Sequence, residues 1–138
     1  MRLRPLRTVG RWTIVAPIDE EGVCQVFASL QELKGNRTTK ATAVGFVALW
    51  DRIGPFGPKS LGTNLYHRVD NKNEINEFIK GDHRLLCFES DGSLIVCSHI
   101  FLKSGKKTPE AEKSRAAKLR KEYLAAIKLG EVEVEKGQ

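Results

Sequence analysis

Four side chains carry the first functional reading of this chain: Lys80, Arg84, His99 and Lys103. They flank Asp91-Gly92, a strong hairpin turn between two apolar runs. With Ser90 opposite Ser93, Arg84 faces His99, and Lys80 faces Lys103 if the pairing continues past Gly81. Side chains alternate along a strand, so all four then share one side of a sheet. A three- or five-residue turn would change the parity and separate them. The same side is apolar near the turn (Leu86, Phe88, Ile95, Cys97) and basic at its far end, where Lys106 and Lys107 follow on the loop. Such a cleft suits RNA cleavage without a metal. A 2′-hydroxyl attacks the neighbouring phosphorus, and charge grows on the phosphoryl oxygens. Preorganised Arg and Lys groups stabilise that charge. An imidazole can move either proton.

The elements that must position these groups follow from periodicity. Trp12–Ala16 reads as a strand ended by Pro17. Apolar residues at Val23, Val26, Phe27, Leu30 and Leu33 have helical spacing, and Lys34-Gly35-Asn36 stops that helix. A second helix presents Ala43, Phe46, Val47, Trp50 and Ile53 and ends at Gly54-Pro55. The pair should form an antiparallel helical hairpin. Leu65–Arg68 reads as a short irregular strand. Asn73–Lys80, Arg84–Glu89 and Leu94–Leu102 then read as a three-stranded antiparallel meander. A last helix starts at Thr108, with threonine as N-cap and Pro109 in the first turn. Its apolar face is Ala116, Leu119, Tyr123 and Ile127, and Gly130 stops it. Residues 130–138 read as a frayed tail. The class is α+β, with helices packed on a twisted sheet, and one domain spans 1–138.

Charge is concentrated rather than general. The chain of 138 residues has 23 Lys and Arg against 17 Asp and Glu, a net +6. The segment from Lys103 to Lys121 has eight basic and two acidic residues, so it holds the whole excess. Lys106, Lys107, Lys113, Arg115, Lys118, Arg120 and Lys121 are therefore candidates for contact with RNA or ribosome. No apolar run approaches the ~20 residues of a membrane span, and the basic N-terminus lacks the apolar core of a signal peptide. A cytoplasmic protein is expected. Cys24, Cys87 and Cys97 have no metal-site spacing and sit in apolar runs, which makes them small core residues. No metal or cofactor is implied.

Each candidate also has a plainer reading. His99 could be a packed, hydrogen-bonded core histidine, and Arg84 an ion-pair partner of Glu77 or Asp82. The helix cations could be a solvated face. His67 and His83 read as exposed or loop histidines.

The segment Glu77–Tyr123, EFIKGDHRLLCFESDGSLIVCSHIFLKSGKKTPEAEKSRAAKLRKEY, resembles the RelE/HigB superfamily of toxins, most closely its phage-derived HigB-like branch. The carrying residues are Glu77-Phe78, Lys80, Arg84, Phe88, Asp91-Gly92, His99, Phe101, Lys103 and Lys107-Thr108-Pro109. The resemblance implies a RelE-like fold and the toxin of a type II toxin–antitoxin system. It implies a ribosome-dependent mRNA endonuclease (an mRNA interferase, a hydrolase of translated message) that causes growth arrest without a metal. Its partners would be the ribosome, mRNA and a cognate antitoxin of helix-turn-helix type. The catalytic role maps to Arg84, Lys103, Lys80 and His99. Two alternatives use the same fold: a ParE-like inhibitor of DNA gyrase with no nuclease activity, and a non-catalytic RNA-binding module.

Overall fold

The computed structural model describes residues 1–136. The protein is α+β, and the described residues form three α-helices and a seven-stranded mixed sheet. The strands are β1 (Arg2–Val9), β2 (Trp12–Ile18), β3 (Tyr66–Asp70), β4 (Ile75–Lys80), β5 (His83–Ser90), β6 (Leu94–Leu102) and β7 (Glu133–Val134). The helices are α1 (Gln25–Gly35), α2 (Lys40–Asp51) and α3 (Glu110–Lys128). The spatial order is β3-β4-β5-β6-β2-β1-β7. Neighbours are antiparallel except at β2–β6 and β1–β7.

The sheet is therefore wider than the expected three-stranded meander. Three additions explain the difference. β3 extends the meander on one side. β1 pairs with β2 through a tight turn at Gly10-Arg11, where Gly10 has φ +60°. Its Arg2, Arg4 and Arg7 hide the strand pattern, yet Leu3 between them is fully buried. Finally, Glu133–Val134 pairs with Arg2–Leu3, so the tail expected to fray in part continues the sheet. Residues 137 and 138 of that tail lie outside the described residues.

Helices cover both faces of the sheet. The α1–α2 hairpin packs on one face through Val26, Leu30, Phe46, Leu49 and Trp50, against Ile14, Phe78, Leu85, Cys87, Ile95 and Cys97. Helix α3 packs on the other through Ala116 and Tyr123, against Val15, Ile75, Leu86, Phe88 and Val96. Consecutive residues such as Leu85 and Leu86 enter different cores, as the strand period of two requires. Burial raises the pKa of all three cysteine thiols, consistent with their place in the helical-hairpin core.

The β5–β6 register departs from the expected one twice. The turn holds three residues, Asp91-Gly92-Ser93, and pairs Ser90 with Leu94. Gly92 (φ +79°) and Ser93 (φ +59°) both take left-handed conformations. A bulge then intervenes, because Cys87 pairs with Cys97 but Leu86 pairs with His99, leaving Ser98 unmatched. Two single-residue shifts restore the parity. Arg84 and His99 share the α3 face after all, but Arg84 faces Phe101 and His99 faces Leu86.

Candidate functional site

The site is built from a transverse row on the α3 face of the sheet. His67 pairs with Glu77, Glu77 with Leu86, and Leu86 with His99, so one row crosses β3, β4, β5 and β6. The next row outward is Ile79, Arg84 and Phe101. Beyond it β6 ends. The Lys103 amide donates to the Asp82 carbonyl at 2.8 Å, and the chain turns at Gly105 (φ +90°) into Lys106-Lys107-Thr108.

Glu77 organises this corner. It is completely buried. The Thr108 hydroxyl donates to its Oε1 at 2.8 Å, and His67 Nε2 lies 2.7 Å from its Oε2. Arg84 Nε lies 3.8 Å from the same Oε2. A buried carboxylate without such partners would be strongly unfavourable. Thr108 was expected to cap α3. Its hydroxyl is instead spent on Glu77, Pro109 takes the cap position, and no side chain caps the helix. The consequence is positional: the lysine loop is pinned to the sheet at its C-terminal end.

Over this floor lies an open cleft of about 430 Å³, lined by His67, Val69, Lys103, Lys106, Lys107, Thr108, Pro109, Glu110 and Lys113. Four lysines thus line one hollow. The carboxylate on its rim, Glu110, is 2.6 Å from Lys113 Nζ. The N-terminal end of α3 also borders the cleft, and its partial positive charge adds to the field.

The sequence-derived residues distribute as follows. Lys103, Lys106, Lys107 and Lys113 line the cleft. Arg84 sits beside Glu77, and its Nη1 donates to the carbonyls of Gly81 at 2.7 Å and His83 at 3.0 Å. Its Nε is buried without a hydrogen-bond partner. His99 is buried beneath α3, with Nδ1 2.8 Å from Ser98 Oγ and Nε2 3.2 Å from Glu112 Oε1. Burial, followed by the charge of Arg115, holds its pKa below the ordinary 6.5, and Glu112 partly opposes this.

Lys80 corrects the expectation of a shared face. A tight turn at Gly81-Asp82 pairs Lys80 with His83 on a separate strand, and Phe78 beside it enters the helical-hairpin core. Lys80 therefore lies on the opposite face, its methylenes covering Gly45 of α2, where a Cβ would collide with them. The α3 cations do not form one face either. Arg115 and Lys118 border a groove with Asp19, Gln25 and Glu122. Arg120 pairs with Glu74 at 2.6 Å, and Lys121 is exposed.

Two functional candidates escaped the sequence reading, His67 and Glu77. A signal existed for the second. Ile75, Glu77 and Ile79 alternate, so an acid stands in an inward-facing series and must meet a partner.

A model of the phage derived protein Gp49-like family (DUF891) matches residues 30–121, which covers more than half of the chain. The protein belongs to the Gp49-like family. This is a toxin family of toxin–antitoxin systems, and it implies an antitoxin partner. The match runs from the middle of α1 through α2 and β3–β6 into α3, so it contains every residue of the cleft. No curated protein matches the chain. Among the described residues, no helix is long and apolar enough to cross a membrane.

Proposed function

We propose that this Gp49-like toxin is an mRNA endonuclease that acts on translated message, cleaving by attack of the ribose 2′-hydroxyl on the adjacent phosphorus, without a metal. The observation that carries the reading is the presence of Lys103, Lys106, Lys107 and Lys113 around one cleft, beside a half-exposed His67 paired with the buried Glu77 carboxylate. The resemblance of Glu77–Tyr123 to RelE/HigB toxins supports it, as does the family. Lys103 and Lys107 hold the scissile phosphate and stabilise the charge that develops on it. Lys106 and Lys113 hold neighbouring phosphates. Arg84 supplies fixed positive charge beside Glu77. Arg115, Lys118 and Lys121 lie on other sides of α3 and serve docking to ribosomal RNA. A cytoplasmic site of action and a helix-turn-helix antitoxin belong to the same reading.

The test is inducible expression of the wild type and of Lys103→Ala/Lys107→Ala, with primer extension on a translated mRNA and on the same mRNA without its start codon. Cuts should appear only with the wild type and only on the translated message. The double variant should also bind a non-cleavable single-stranded RNA with a shallower salt dependence, by about 0.7 in log–log slope per lost phosphate contact. Growth arrest without cuts, together with inhibited supercoiling by gyrase, would overturn the nuclease reading.

A further inference from the structure

We propose that His67 is the general acid of the cleft, oriented by Glu77. The proposal rests on the nuclease reading above and adds the group that protonates the leaving oxygen. The chain has three histidines. His99 is buried under α3, and His83 borders a groove on the other face with Leu33, Asn36 and Thr39. His67 is the one that lines the lysine cleft.

Its environment is asymmetric in the way proton transfer requires. Nε2 points inward to Glu77 Oε2 at 2.7 Å, and that carboxylate is sealed from solvent. Glu77 is itself held by Thr108 at 2.8 Å, so the ring is oriented by a fixed group. Nδ1 points to the Thr63 carbonyl at 3.1 Å on the exposed side. A carbonyl only accepts, so Nδ1 carries a hydrogen. This N–H lies on the exposed side of a residue that lines the cleft, bonded to an acceptor that a substrate oxygen can replace. The inner carboxylate fixes the ring's orientation.

The step balances without a co-reactant. The 2′-oxygen bonds to phosphorus and its proton passes to solvent. The P–O5′ bond breaks, with its electron pair moving to O5′. The proton on His67 Nδ1 moves to that oxygen and is later replaced from solvent. The products are a 2′,3′-cyclic phosphate and a 5′-hydroxyl end.

The experiment compares wild type, His67→Gln and His67→Asn on ribosome-bound mRNA carrying either the ordinary linkage or a 5′-bridging sulfur at the mapped cleavage site. A thiolate leaves without protonation. Both variants should cut the ordinary linkage about 10²–10⁴-fold more slowly and the sulfur linkage nearly as fast as wild type. Equal losses on both linkages would make His67 a structural residue and overturn the proposal. So would an undiminished rate on the ordinary linkage. A wild type that cuts neither linkage would instead remove the nuclease reading itself.

Discussion

The two faces of the sheet meet their helices differently. The helical hairpin covers its face with Phe46, Leu49, Trp50, Val26 and Leu30, and the core beneath is mostly apolar, with Asn76 buried toward β3 and bonded to Arg68. Helix α3 alone covers the other. Its Ala116 and Tyr123 seal the half around Leu86, Phe88 and Val96. The Tyr123 ring packs tilted against Phe88, with centroids 5.4 Å apart, and its hydroxyl meets Ser90 Oγ at 2.7 Å. Toward β3 the helix runs out. There the buried groups are Glu77 and Thr108, which must be paired to be tolerated, while His99 is paired beneath the helix itself. A face covered by one helix leaves room for a polar floor and an open cleft above it; on the other side, the hollow beside the hairpin is lined mainly by apolar residues such as Leu6, Phe27, Leu30 and Val47.

This contrast predicts different losses for equal truncations. Phe46→Ala, in the apolar core, should cost about 3–5 kcal/mol in chemical denaturation, because it leaves a cavity walled by helix and sheet. Glu77→Ala should cost less, about 2–3 kcal/mol, through the stranded Thr108 hydroxyl and Arg84 guanidinium. It should also raise proteolysis at Lys106 and Lys107, because the pin on that loop is gone. Similar losses without loop cleavage would show that Glu77 is ordinary core and blur the contrast. The smallest effect concerns acid. His99 is held neutral, with its folded pKa below 6.5. The unfolded chain therefore takes up a proton first, and stability that is full above pH 6.5 falls as pH drops through the folded value. His99→Gln should flatten that slope in urea titrations between pH 7 and 5. An unchanged slope would assign the acid sensitivity to other groups.

How far the sequence could reach differs between these regions. The helical hairpin was legible because its apolar residues repeat with helical spacing, and the Asp91-Gly92 turn, β6 and α3 were legible from local punctuation. Of the candidate site, the charge cluster was legible: Lys103, Lys106, Lys107 and Lys113 line one cleft. What escaped depends on cross-strand register. The three-residue turn relies on Ser93 taking a left-handed conformation that Gly or Asn would usually fill. The Ser98 bulge then shifts β6 again, and nothing in the alternation of Leu94–Leu102 marks it. Lys80 was misplaced because Gly81-Asp82 reverses the chain within two residues, so its spacing from Arg84 is not spacing along one strand. β1 was hidden because its arginines occupy a strand that β7 covers only at Arg2 and Leu3, so most of it is a sheet margin, where charge is at home.

The parallel pairing of β2 with β6 has a consequence for how the chain folds. It joins Thr13 to Leu94, Ile14 to Ile95 and Val15 to Val96. Partners there are about eighty residues apart, and closing a loop of that length slows assembly. On one side of this seam, β3 to β6 follow one another through short turns and α3 comes directly after. The half of the molecule that holds the cleft is thus made from contacts between near neighbours in the chain. The long wait for a distant partner falls on the docking of β1 and β2.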